Sequence, residues 1–163
     1  MRQNQKSEIK ELSREEGLAR IYKYCAYQER SHQDVKHKLF TFGLRSHDVD
    51  RILSQLIVEG FLNEERFAKA FAGGKFRMQK WGRNKIVYAL QGRGLTENCI
   101  QRGLWEISEP DYRRTLRDVI TKKSKQTKEA NSFKKRDRVA RFAIARGFEP
   151  ELVWEVVKDV LRD

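Results

Sequence analysis

Phe61-Leu62-Asn63-Glu64-Glu65-Arg66-Phe67-Ala68, followed by Trp81-Gly82-Arg83-Asn84-Lys85-Ile86 and closed by Arg93-Gly94-Leu95, holds the pattern on which the chain is built. Asn63 predicts a helix N-cap, because its short polar side chain can accept from the first free N–H groups. Phe67, Ala70 and Phe71 then recur at helical spacing. A second helix after Gly82 uses Ile86 and Leu90 and stops at Gly94. Thr96 is expected to cap a third, using Ile100, Leu104 and Ile107. From Arg66 to Thr96 the segment has eight basic residues and no acid. One stretch thus combines an apolar helical pattern with an unbroken positive field.

The same grammar extends in both directions. Upstream, Leu18, Ile21, Tyr22 and Cys25 predict an amphipathic helix from Arg14 to Gln28. Ser31 with Asp34 reads as a short capping box. The helix it starts buries Val35, Leu39 and Phe42 and stops at Gly43. Ser46 is expected to cap a helix with Val49, Ile52, Leu53, Leu56 and Ile57 inward, ending at Gly60. Downstream, Tyr112, Leu116, Val119 and Ile120 follow from Asp111. A helix over about Phe133 to Arg146 uses Val139 and Ala143, and the last uses Leu152, Val153, Val156, Val157, Val160 and Leu161.

The registers agree. Gly43, Gly94 and Gly147 are followed at once by Leu44, Leu95 and Phe148. Six residues after each glycine stand Val49, Ile100 and Val153, and ten after stand Leu53, Leu104 and Val157. Eight before stand Val35, Ile86 and Val139. This predicts an all-α protein of three tandem three-helix repeats in an elongated, curved array. The expected boundaries are a flexible lead over 1–13 and repeats over 14–60, 61–108 and 109–163. The third contains a basic loop near 121–135. Gly73-Gly74 predicts a kink, hinge or break in the fourth helix, since each glycine costs roughly 1 kcal/mol there.

Composition restricts the function classes. The chain has 163 residues, 36% charged and 39% hydrophobic, with a net charge of +12. That balance suits a surface-rich helical protein better than an enzyme with a deep core. No apolar run approaches the ~18 residues of a membrane span, and Met1 to Glu16 has no apolar signal core. The expectation is a cytoplasmic protein without membrane association. Cys25 and Cys99 read as reduced core residues. The charge is uneven: residues 66–96 carry +8 and 113–146 carry +10, while the rest is neutral or acidic. Two such blocks attract polyanions or an acidic protein face.

Catalytic patterns are absent from the sequence. Gly73-Gly74-Lys75 lacks the spacing of a phosphate loop. His32 and His37 stand off a common helix face, which disfavours metal ligation. Ser31, His32 and Asp34 are too local for a triad. Glu15-Glu16 and Glu64-Glu65 fall in first turns, where they complement the helix dipole. No enzyme activity, cofactor or metal is expected.

The candidate binding residues are Lys75, Arg77, Lys80, Arg83, Lys85 and Arg93 in the first basic block, and Arg136, Arg138 and Arg141 in the second. Cations at such positions meet phosphates or carboxylates. Trp81 lies at the joint between two helices, where it either closes a small core or stacks on a base or partner side chain. Trp105 and Trp154 lie among apolar helical positions and are expected in the core.

The opening stretch, with Gln91-Gly92-Arg93-Gly94-Leu95, resembles the central motif of the RecX regulatory family. Tyr27-Gln28-Glu29-Arg30-Ser31 through Lys38-Leu39 and Gly43 resembles the family's first unit, and Arg141-Phe142-Ala143-Ile144-Ala145-Arg146-Gly147-Phe148 its third. The likeness covers about residues 15–161. It departs at Gly73-Gly74, where larger helix formers are usual, and at Asn63-Glu64, where an Asp pair is common. The resemblance implies a non-enzymatic modulator of the RecA recombinase, with roles in recombination, DNA repair and the SOS response. Such proteins lie along the groove of the RecA–DNA filament and inhibit its ATPase and strand exchange. The implied partners are the RecA filament and single- and double-stranded DNA, and a monomer is expected. The rival reading is a helix-turn-helix regulator of duplex DNA, which needs base-reading side chains on one helix. A third is a helical scaffold for a protein partner, whose binding would be insensitive to salt.

Overall fold

The computed structural model describes residues 11–162. Among these, the chain is all-helical: α1 (Arg14–Tyr27), α2 (His32–Thr41), α3 (Ser46–Val58), α4 (Glu64–Gln79), α5 (Arg83–Gly92), α6 (Glu97–Leu104), α7 (Glu109–Gln126), α8 (Ser132–Ala145) and α9 (Pro150–Val160). None of them is long and apolar enough to cross a membrane. The expected lead over 1–13 falls, for residues 1–10, outside the described residues. Leu12 donates its N–H to the Phe42 carbonyl at 3.0 Å, and the Ser13 hydroxyl caps α1 at Glu16. The chain divides into two compact units, one ending at Phe67 and one beginning at Ala68.

In the first unit α1, α2 and α3 pack on one another. At ten residues α2 is shorter than the roughly 12–15 at which an isolated helix becomes marginal. Packing holds it: Val35 and Leu39 are fully buried with Ile21, Val49, Ile52 and Leu56, each contributing about 1.5–3 kcal/mol. Its start is fixed by the expected capping box, with Ser31 Oγ accepting from Asp34 N and Asp34 Oδ2 from Ser31 N, both at 3.1 Å. Glu64 Oε1 adds an acceptor 2.9 Å from His32 Nδ1.

The second unit holds α5 against α6, and α7, α8 and α9 against each other. Gly103 of α6 meets α4 closely, since a Cβ there would lie 2.8 Å from the Ala68 backbone. Leu116, Ile120, Val139, Ala143, Phe148, Val153 and Val157 are fully buried. Gly43, Gly94 and Gly147 have φ of 80°, 75° and 98°. At the latter two the next residue turns back: Leu95 N–H reaches Leu90 O and Phe148 N–H reaches Ala143 O, both at 3.3 Å. That bond closes a Schellman end and buries the apolar residue after the glycine.

Four expectations change. First, α4 is continuous through Gly73-Gly74. The helix cost of two glycines is small beside the burial of Ala72 and Phe76 around them. Second, Arg45, not Ser46, is the N-cap of α3, with no side-chain bond. Third, α7 runs to Gln126 and α8 begins at Ser132, so the connection is residues 127–131 rather than 121–135. Lys122, Lys125 and Lys134 are solvated on helix surfaces, Lys128 lies in the connection, and Asn131 caps α8 at Lys134 N. Fourth, three residues expected inward are not buried: Trp105 is 76% exposed, Trp154 36% and Ile57 of α3 42%. Trp105 follows the last turn of α6, and the buried apolar residue there is Ile107.

Candidate functional site

The first turn of α5 has no side-chain cap. An uncapped helix start leaves N–H groups without partners. Here Gly82 N–H donates to Arg146 O at 2.8 Å, Arg83 N–H to Tyr112 Oη at 3.0 Å, and Asn84 N–H to Gly147 O at 2.9 Å. The carbonyl end of α8 therefore caps the amide end of α5, bringing opposite ends of two helix dipoles together. Glycine is required on both sides: a Cβ on Gly82 would lie 2.2 Å from the Gly147 carbonyl carbon, and one on Gly147 would lie 2.4 Å from Lys85 Cβ. Tyr112 is fully buried between the Phe76 and Phe148 rings, at 5.9 and 5.2 Å. Its hydroxyl donates to Glu149 Oε1 at 2.9 Å. Burial pushes its pKa well above the ordinary tyrosine value.

This junction decides which cations remain for a partner. Arg83 stacks 3.8 Å from the Tyr112 ring, bonds Glu109, and lies 3.6 Å from Glu149. The Arg83 hydrogen bond holds the Glu109 carboxyl below its usual range. Arg83 is thus committed to the fold. So is Arg136, whose Nε and Nη2 donate to Leu161 O at 3.1 and 2.8 Å and satisfy the carbonyl end of α9. Arg138 pairs with Glu129 at 3.3 Å and Arg141 with Asp137 at 2.9 Å, both with largely exposed guanidinium groups.

The other sequence-predicted residues separate into two places. Trp81 is half-buried and edge-on to Phe71 at 6.3 Å. Lys75 Nζ and Lys85 Nζ lie 4.9 and 4.6 Å from the Trp81 ring, and Arg93 lies 4.9 Å from Phe71. Lys75, Trp81, Lys85 and Arg93 form one cation–aromatic cluster, each such contact being worth about 0.5–1 kcal/mol at an exposed site. Arg77 folds back over Gly73, where a Cβ would stand 2.7 Å from its Nη1. Lys80 leaves this cluster. It has φ of 56° and reaches a hollow of about 260 Å³ between α7 and α8, with Lys122, Lys123, Phe142 and Arg146 on the walls. In sequence, Lys122 and Lys123 read as part of the basic loop near 121–135, and Phe142 and Arg146 only as part of the stretch that resembles the third unit. The signal was present: Val119, Lys122, Lys123 and Gln126 fall at i, i+3, i+4 and i+7, one face of a helix.

Among the described residues, no cluster of His, Cys, Asp and Glu is placed to hold a metal ion. Cys25 and Cys99 are free thiols, and burial raises the pKa of Cys25.

The model of the second three-helix domain of RecX matches residues 63–104, and that of the third three-helix domain matches 111–157. The regulatory protein RecX of Clostridium tetani is 26% identical over 141 residues, covering 85% of this chain and 62% of that protein. The chain therefore spans somewhat under two thirds of the length of the clostridial relatives. RecX of Chlorobium limicola is 25% identical over 151 residues, covering 91% of this chain and 89% of that one. The crystal structure of RecX from Lactobacillus salivarius superposes with a TM-score of 0.80 at 16% identity, covering 90% of this chain and 96% of that one. A second RecX crystal structure gives 0.81 at 19% identity, covering 90% and 73%. At these identities the structures establish the fold.

Proposed function

The chain belongs to the RecX family, and on that premise we propose that it binds the RecA–DNA filament and inhibits its ATPase and strand-exchange activity. The consecutive second and third RecX domains carry this reading, because basic surfaces alone name no particular partner. The surface supports it: Lys75, Trp81, Lys85 and Arg93 form a cationic patch, and Arg138 and Arg141 add charge on α8. Such groups meet phosphates or acidic protein faces. The protein acts without catalysis of its own, as a cytoplasmic monomer.

Titration of the protein into RecA hydrolysing ATP on single-stranded DNA tests this directly. ATPase should fall as the protein is added, and retention on immobilised single strands should rise when RecA is present. No change in ATPase together with RecA-independent retention would reject the proposal.

A further inference from the structure

Two hollows of about 260 and about 550 Å³ lie along the α7–α8 face and share Lys123, Gln126 and Phe142. Phe142 is 36% exposed. Lys123 Nζ sits 4.5 Å and the Arg146 guanidinium 5.7 Å from its ring. Lys80 and Lys122 line one hollow, Lys128 and Arg141 the other. No carboxylate lines either hollow among the described residues. The neighbouring acids, Glu129 and Asp137, are engaged with Arg138 and Arg141.

Lys80 supplies a second observation. It is the one non-glycine among the described residues with positive φ, at 56°. A side chain in that region costs energy that glycine avoids; here the left-handed residue ends α4, with Lys80 N–H bonded to Phe76 O at 3.1 Å. Arg146 donates to the Gln79 and Lys80 carbonyls. Lys80 lines the first hollow, and its Nζ donates to Arg77 O at 2.8 Å.

We infer that the α7–α8 face is a track for single-stranded nucleic acid, with an unpaired base stacked on Phe142 and the backbone phosphates on Lys80, Lys122, Lys123 and Lys128. The inference rests on the filament reading and names the face through which the protein engages the strand. An acidic protein segment would satisfy the cations but leaves the exposed ring between them unexplained. A duplex keeps its bases stacked internally, out of reach of one aromatic ring. Only a single strand uses both features, since every base has a face to stack.

Fluorescence anisotropy, without RecA, measures this on three labelled probes: an oligo-dT strand, an abasic strand of equal length, and a duplex. The dT strand should bind tightest. Phe142→Ala should weaken dT binding roughly tenfold and leave the abasic strand unchanged. Lys122→Ala with Lys128→Ala should reduce the slope of log affinity against log salt by about 1.4. Lys80→Gly relieves the strained backbone, so its melting temperature should not fall although its dT affinity does. Equal affinity of the wild-type protein for dT and abasic strands, or for strand and duplex, overturns the inference. So does an unchanged salt slope in the double variant. No strand binding with RecA ATPase still inhibited rejects the track and spares the filament proposal. Strand binding with no effect on RecA does the reverse.

Discussion

Gly82 and Gly147 approach so closely that a methyl group on Gly82 would lie 2.2 Å from the Gly147 carbonyl carbon. The contact seats the start of α5 on the end of α8 and satisfies the Gly82 and Asn84 N–H groups. Gly82→Ala forces the two backbones apart and costs those bonds. Overpacking alone is typically worth about 1–3 kcal/mol. We expect a loss of at least that size in urea denaturation, and a comparable loss for Gly147→Ala, which also places a side chain at φ of 98°. An unchanged midpoint for Gly82→Ala would show that the junction contributes nothing to stability.

Tyr112 holds the same junction from inside. Its hydroxyl accepts from Arg83 N and donates to Glu149. Tyr112→Phe keeps the ring packing but leaves a buried N–H without its partner, a cost of about 1–3 kcal/mol. The pH dependence has a definite sign. Burial raises the folded-state pKa, so the stability Tyr112 contributes is present below the unfolded value of about 10 and is lost as pH rises through that value toward the folded one. The wild-type protein should therefore lose stability above pH ~10 more steeply than Tyr112→Phe. Parallel alkaline profiles would reject this account.

Arg83 and Lys85 are two residues apart and should behave oppositely. Arg83 is spent on Glu109, Glu149 and the Tyr112 ring, whereas Lys85 reaches out over Trp81. Arg83→Ala should lower thermal stability and leave the salt slope of DNA binding unchanged. Lys85→Ala should lower that slope by roughly 0.7–0.9 with little change in stability. The Arg83 partner also sets an acid limb. Glu109 titrates below its usual range, so its contribution is present above the unfolded pKa of about 4 and is lost as pH falls through the lower folded value. Glu109→Gln should flatten that limb; a slope unchanged by Glu109→Gln counts against the pairing.

These positions also show what the sequence could and could not reveal. Helix number and type were legible because Gly43, Gly94 and Gly147 punctuate matched apolar positions, most of which are buried. The capping box at Ser31 and the caps at Asn63 and Thr96 were legible for the same local reason. Arg83 and Arg136 were indistinguishable from partner-binding cations because their partners, Glu149 and Leu161, lie 66 and 25 residues away in sequence. Charge blocks count residues and cannot subtract intramolecular pairs. Trp105 and Trp154 misled because apolar spacing identifies a helical face only to within a residue, and α6 ends at Leu104. The Lys80 placement was invisible, since a non-glycine with positive φ leaves no mark in composition or period.

The continuity of α4 gives a prediction of opposite sign to the others. Gly74 lies in the helix interior, and a Cβ there would meet nothing within 4 Å. Replacing it by Ala removes backbone freedom from the unfolded chain without strain in the folded one. Gly74→Ala should therefore stabilise the protein by about 0.4–1 kcal/mol, seen as a raised thermal midpoint. Gly73→Ala should gain less, because its methyl must displace the Arg77 guanidinium now 2.7 Å from that point. The displaced group is the far end of a flexible side chain, so the difference between the two variants should be small. If α4 instead hinged at this pair, Ala at position 74 would oppose the bend and lower the midpoint. A drop on Gly74→Ala would therefore exclude the continuous helix.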